Sequence, residues 1–490
     1  MLFNSIEFVI FFIFVFSTIL IVRDRKFQHL FLLVASYFFY YFTSNYLIVL
    51  LIYSTLLDYY VGKEIWKSSS KKRKKALLIT GMVGNFGLLG FYKYSDFVIT
   101  QFNVLGTFVD IGNQIPLLNL VLPIGISFYT FQTVTYSVDI YRGRLEPARS
   151  FWEFALFVTF FPQLVAGPIL RANQFLPQLR EKIENVGNKI KLRQIVISSS
   201  NLKLGISIMA FGFLKKMFFA DNIAPMVNEI FNNPTGLESF NVILGSIGFG
   251  IQLYGDFSGY SDIAVGAALV LGFKLPFNFN NPFFSRSPAD FRRRWHITLY
   301  SWFKDYLYIP LGGNRKSRAR TYFNLWLVMF LSGFWHGASW NFVIWGLLTG
   351  SYLVIHRAIS NTFPSLKTHQ FFNTKIGIFL SIFVTQYIVF LSMTTFRVRD
   401  IGHMLYSMQK YVMLDFATSG TMQFISQHPL PVVLITIFWA IHFILYKIPD
   451  WLERIAKVRL AYWFIFLLGI ILLILLFYNG KPQDFYYFQF

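Results

Sequence analysis

Between Leu331 and Gly346 the chain reads LSGFWHGASWNFVIWG, in which His336 is the one ionisable side chain. The stretch is otherwise apolar enough to lie in a bilayer, where an ionisable group is costly and by default marks a functional site. A neutral imidazole titrates near neutral pH and can take a proton from a hydroxyl, as acyl transfer requires. Ser332, Gly333, Gly337, Ala338 and Ser339 are expected to leave open space beside the ring, with Trp335 and Trp340 as flat walls. The competing reading is a histidine at the bilayer interface, or one hydrogen-bonded inside a helix bundle. Gly333 and Gly337 also fit GxxxG, a spacing that serves close helix packing as readily as a site.

Other groups offer chemistry of their own. His296 lies in RRRWHITLYSWFKDY, where the plain alternative is an interfacial histidine among arginines. Arg292, Arg293 and Arg294 suit lipid phosphate or the phosphates of a nucleotide-bearing donor, since the guanidinium fork matches either. Asp256 and Asp262, in YGDFSGYSD, sit in a long apolar segment and need basic partners or a water-filled cavity. Ion pairs that hold the basic loop in place are the expected use, and proton handling is the sharper one. The chain ends in FYYFQF, which reads as an interfacial anchor or as a tail that folds back. In the second case Tyr486 or Tyr487 becomes a nucleophile once a base removes its proton. With no cysteine, disulfides, thiolate metal sites and a cysteine nucleophile are excluded, and no metal-ligand cluster, phosphate-cradling glycine loop or GxSxG is visible.

The elements that must position these groups follow from composition. The 490 residues are 55% hydrophobic and 20% aromatic, with a mean hydropathy of +0.50, which defines an all-α polytopic membrane protein. The net charge of +21 is spread in short runs between apolar segments, the positive-inside pattern rather than a nucleic-acid surface. KEIWKSSSKKRKK, from Lys63, is therefore expected in the cytoplasm, and about twelve crossings put both termini outside. Glu7 ahead of the first apolar run and the basic residues after it argue against a cleaved signal peptide. Residues 94–116 are expected to be a partly embedded amphipathic segment, and residues 151–170, interrupted by Pro162, Gly167 and Pro168, to be re-entrant. Arg286 to Arg320 is too charged to cross and is expected on the cytoplasmic face among membrane lipids. Neither an internal repeat nor a soluble domain is evident, so residues 1–490 read as a single domain.

Five blocks carry a resemblance: LPIGISFYTFQTVTYSVDIYRG from Leu122, FFPQLVAGPILR from Phe160, DFSGYSDIAVG from Asp256, RRWHITLYSWFKDYLYIPLGGNR, and FWHGASWNFVIWG. In this order the chain resembles the membrane-bound O-acyltransferase family, in its alginate O-acetylase-like branch of polysaccharide O-acetyltransferases. The resemblance covers most of residues 122–350, and the aromatic tail spans 480–490. It implies a ring of helices and re-entrant segments around a central funnel, with His336 at the narrow point, His296 as the second family histidine and Tyr487 as acyl acceptor. Trp335, Trp295, Asp256 and Asp305 are expected to support the pocket. One departure is Arg292, where the family usually has an aromatic residue. The implied donor is an acyl-CoA, most simply acetyl-CoA, in the cytoplasm, with no bound cofactor. The implied acceptor is a secreted or surface polysaccharide, reached through an SGNH or esterase-like extracytoplasmic partner of a protein in the cell inner membrane. The alternatives are D-alanyl transfer to teichoic acid and, from another class, a transporter or flippase.

Overall fold

A computed structural model of the chain describes residues 1–108, 114–165, 167–180, 195, 197–478, 480, 485 and 486. Among them regular structure is helical throughout, without a strand. That is what lipid demands of an open chain, because a helix satisfies its own backbone polar groups. The described residues form two compact units, Met1–Met209 with Ile263–Pro276, and Ala210–Asp262 with Phe277–Phe490.

The first unit contains α1 (Ile6–Ile21), α2 (Arg25–Ser44), α3 (Ile48–Lys67), α4 (Lys71–Phe108), α5 (Ile126–Tyr141), α6 (Phe151–Thr159), α7 (Phe161–Leu164) and α8 (Ala172–Arg180), and most of α9 (Ser199–Phe213). Side-chain caps set several starts: Ser5, Asp24 and Ser150 accept from the backbone N–H of Phe8, Phe27 and Glu153. The amphipathic segment expected over 94–116 is not a separate element as far as Phe108, because α4 runs on unbroken for 38 residues. No proline interrupts Phe91 to Phe108, and the polar Asp96 is satisfied by the N–H groups of Leu118 and Asn119 at 2.7 and 3.0 Å. The interruption expected in 151–170 is present. Phe160 (φ −48°, ψ 107°) separates α6 from α7, and Phe160, Phe161 and Leu164 are fully buried. Irregular backbone in an apolar stretch is tolerated where protein surrounds it, as here.

The second unit opens with a π-helical turn, Leu214–Ala220, and α10 (Asp221–Asn232), and takes most of α11 (Ser239–Val270). Then come α12 (Pro288–Arg294), α13 (Ile297–Phe303), a π-helical turn Lys304–Tyr308, α14 (Arg318–His336), α15 (Trp340–Thr362) and the short α16 (Ser365–Thr368). The chain ends through α17 (Lys375–Arg397), α18 (Ile401–Val412), α19 (Ser419–Gln427), α20 (Pro429–Lys447), α21 (Trp451–Lys457) and α22 (Leu460–Leu476). The charged stretch from Arg286 is, as expected, short helices and turns rather than a span.

Five helical stretches among the described residues are long and apolar enough to cross a membrane: Arg25–Lys67, Lys71–Phe108, Trp340–Thr362, Lys375–Arg397 and Pro429–Lys447. The first, 43 residues long, contains both α2 and α3 and bends at Asn45, whose φ is +49°. Ile6–Ile21 and Leu460–Leu476 are apolar but shorter. The protein is thus a multi-pass membrane protein. Residues 151–170, expected to be re-entrant, contain the short helices α6 and α7.

Candidate active site

His336 is the last residue of α14, and Gly337 leaves the helix in an extended conformation (φ −165°, ψ 156°) before Ser339 leads into α15. The imidazole is buried, 5% exposed. Aromatic rings enclose it: Trp335 at 4.9 Å between centroids, Trp345 at 5.1 Å with the planes at 90°, and Phe396 at 5.1 Å and 79°. The expectation of open space from small residues is corrected here. A methyl group on Gly333 would run into the Phe342 carbonyl oxygen, and one on Gly337 into the Phe342 ring. The two glycines therefore pack α14 against α15, and Gly346 completes the approach, its own added methyl lying 2.7 Å from the Met329 carbonyl oxygen. Trp340 is not a wall: it is 47% exposed, and Trp345 and Phe396 take that role.

His296 is likewise buried, 1% exposed, rather than an interfacial residue in solvent. Its backbone is left-handed (φ +45°, ψ 52°), a conformation uncommon outside glycine and costly unless its surroundings hold it. Asn278 does the holding: its carbonyl accepts from the N–H of Ile297 at 2.9 Å, and its Oδ1 from the Thr298 hydroxyl at 2.6 Å. Burial drives the His296 pKa down to about 3, so the ring is neutral. The Trp335 ring stands 6.2 Å from His296 and 4.9 Å from His336, so one indole neighbours both imidazoles. Trp295 packs beside Phe291 at 5.4 Å and Phe279 at 5.1 Å.

A narrow cavity of about 30 Å³, room for one or two waters, opens at His336. Arg292, Trp295, Trp345, Tyr352 and Phe396 share its lining. The guanidinium of Arg292 lies over the Tyr300 ring at 4.7 Å and the Trp345 ring at 5.1 Å. Sequence reasoning placed this residue against phosphates at the face of the membrane, whereas the fold puts its charge in the wall of the His336 cavity. Its one signal in the sequence was the departure from the family pattern. A second cavity of about 530 Å³ involves α15 and α17, is lined by Arg286, Ser287, His356 and Ser381, and shares Pro288 and Ile388 with the first. That volume is in the range of small-molecule sites.

Asp262 pairs with Lys215 at 2.6 Å, and Asp256 with Lys216 at 2.6 Å. Their partners are thus in the Leu214–Ala220 turn and not in the basic loop, which corrects that expectation. Asp256 also accepts the backbone N–H of Tyr486 at 2.6 Å, so the described tail residue Tyr486 folds back into this unit. The Tyr486 ring packs on Phe249 at 5.1 Å and Phe396 at 6.3 Å, and Phe485 stacks on Tyr260 at 4.5 Å. Burial raises the Tyr486 phenol to about 12, with Arg397 and Arg399 acting in the opposite direction. Tyr487 lies outside the described residues. Asp305 is half-buried in the Lys304–Tyr308 turn and takes no part in lining the His336 cavity.

A helical membrane protein with a histidine enclosed by aromatic rings and a tail docked one ring away is the class these observations define. The sequence profile of the membrane-bound O-acyltransferase family matches residues 34–396, and the chain belongs to that family. It is 37% identical over 363 residues to a peptidoglycan O-acetyltransferase of Helicobacter pylori, covering 69% of this chain and 66% of that one. It is 38% identical over 363 residues to a probable alginate O-acetylase of Pseudomonas aeruginosa, covering 73% and 66%. A teichoic acid D-alanyltransferase of Streptococcus thermophilus is 30% identical over 286 residues, covering 55% and 64%. The chain thus matches just under two thirds of the length of the first two relatives. Family membership favours acyl transfer over the transporter alternative.

Proposed function

We propose that this protein is an O-acyltransferase that moves an acetyl group from cytoplasmic acetyl-CoA through the inner membrane for O-acetylation of a secreted or surface polysaccharide. The observation that carries the reading is the enclosure of His336 by Trp335, Trp345 and Phe396, with the tail residue Tyr486 on the same Phe396 ring. His336 acts as general base. As it takes the proton of an incoming hydroxyl, the imidazolium that forms sits at the C-terminal end of α14, where the negative end of the helix dipole favours a cation.

The reaction has two transfers. The deprotonated phenol of Tyr487 attacks the thioester carbonyl, the carbon–sulfur bond breaks, and the thiolate leaves with a proton as CoA. The acyl-tyrosine then passes its acyl group to a hydroxyl of the extracytoplasmic esterase-like partner or of the polymer, and the phenol recovers its proton. Tyr486 is a poorer nucleophile, because burial raises its phenol to about 12. The charge of Arg292 in the cavity wall suits the oxyanion that develops on the carbonyl. Entry of the donor by the cavity beside Arg286 is in keeping with a phosphate-bearing molecule. The relatives named for acetylation of peptidoglycan and alginate support a polysaccharide acceptor, and the orientation expected from the basic loops, with both termini outside, would put the tail on the acceptor's side.

The test is polymer acetylation in cells that carry His336→Ala, with membrane insertion confirmed by fractionation. Loss of acetyl ester on the polymer is expected, and wild-type ester content with a normally inserted variant would overturn the assignment.

A further inference from the structure

Two adjacent lysines in the Leu214–Ala220 turn point to different carboxylates, and the two pairs are not equivalent. Lys215 meets Asp262 alone at 2.6 Å among the described ion pairs. Lys216, 1% exposed, faces two carboxylates, Asp256 at 2.6 Å and Asp221 at 2.8 Å. The second oxygen of Asp256, Oδ2, accepts the N–H of Tyr486, 230 residues away in the chain. Burying such a cluster is expensive, and well-packed apolar residues of the same volume are often as stable. What a cluster adds is an acceptor aimed in a fixed direction, and here the tail backbone meets it.

Ring contacts on both sides of that hydrogen bond give the tail its register. Phe485 stacks on Tyr260 at 4.5 Å and lies 6.0 Å from Phe257, and Phe257 is 4.6 Å from His296. Tyr486 lies on Phe396, which is 5.1 Å from His336. The tail therefore lands between neighbours of the two histidines. We propose that Asp256, held by Lys216, is a positioning residue whose carboxylate docks the C-terminal tail beside His336 and so sets the rate at which the tail receives the acyl group. This rests on the relay reading of the tail above.

The absence of cysteine supplies a clean reporter. With Gln489→Cys as background, intact membranes are treated with a membrane-impermeant maleimide, and acyl transfer from acetyl-CoA is followed in parallel. Asp256→Asn removes the charge with little change of volume. Tyr486→Pro, measured against Tyr486→Leu to allow for the lost ring, removes the N–H and leaves the helices untouched. Loss of a hydrogen bond to a charged acceptor predicts tail labelling about tenfold faster or more in both variants. It also predicts kcat lower by a similar factor, with KM for acetyl-CoA unchanged. Protected tails and wild-type kcat in both variants would overturn the docking role. His336→Ala in the same background separates the two readings: labelling stays slow while transfer is lost. Labelling that rises as predicted in a reporter protein unable to transfer acetyl at all overturns the acyl-transfer reading and leaves the docking role standing.

Discussion

The ring of His336 meets the ring of Phe396 nearly edge-on, 5.1 Å between centroids and 79° between planes. Tyr486 lies on Phe396 at 6.3 Å, so this one side chain separates the histidine from the docked tail. Phe396→Leu keeps the site apolar but thins the partition. Detergent-solubilised protein should lose about 1–2 kcal/mol of stability, read as a modest fall in melting temperature. Acetyl transfer should fall by more than that loss accounts for, with free acetate released in its place as water gains access. Undiminished transfer at the lower melting temperature would make Phe396 a packing residue only.

Arg292 is the residue through which the cavity departs most from an aromatic lining. Its stacking on Tyr300 and Trp345 has a cation–π strength of about 0.5–2 kcal/mol. Arg292→Met, which retains the stem and removes the charge, should lower kcat about tenfold if that charge meets the oxyanion. Arg292→Lys should recover little of it, because a point charge cannot stack as the planar guanidinium does. Steady-state kinetics in proteoliposomes decide the matter. A methionine variant with wild-type kcat would confine Arg292 to packing.

A pH dependence of stability follows from His296. Its pKa falls from 6.5 to about 3 by burial, so the unfolded chain takes up a proton below about pH 6.5 that the folded chain refuses until near 3. Stability contributed by this group is complete above that window and is lost as pH falls through it. Between about pH 7.5 and about pH 5 the loss is about 2 kcal/mol. His296→Gln has no such proton to gain. Its melting temperature should fall less over the same interval than that of the native protein, and an equal fall in both would contradict the burial argument.

Gly333 allows the backbones of α14 and α15 to touch, and a methyl group there meets the Phe342 carbonyl and lies 2.8 Å from the Gly346 Cα. Gly333→Ala should therefore cost about 1–3 kcal/mol and displace His336, with transfer reduced out of proportion. Gly87→Ala in α4, where nothing lies within 4 Å of the added methyl, should be tolerated. Similar melting temperatures for the two variants would show that the helices can separate without penalty.

Much of this arrangement is legible in the chain itself. Long apolar runs and basic flanks announce the spanning helices, and the GxxxG spacing of Gly333 and Gly337 allows for close helix packing beside His336. The interruption near Phe160 is announced by Pro162, Gly167 and Pro168, whereas the exit from α14 at Gly337 has no such signal beyond the glycine itself. Other features depend on three-dimensional meeting points. The lysine partners of Asp256 and Asp262 precede them by about 40–47 residues in a turn with no motif of its own. That Arg292 stacks on Trp345 instead of meeting a phosphate depends on the packing of α12 against α15, which no local pattern announces. Glycines that read as free space prove to be filled by Phe342, because an absent side chain in a helix marks close approach as often as a cavity.

The most direct test of the account is capture of the acyl group. The purified protein in proteoliposomes is given acetyl-CoA labelled in the acetyl group, without acceptor, then digested and mapped. The prediction is label on the C-terminal peptide at Tyr487 in the native protein and none in His336→Ala. Equal labelling of that peptide in both proteins, or label on some other segment, would contradict the assignment of His336 as the base that activates the tail.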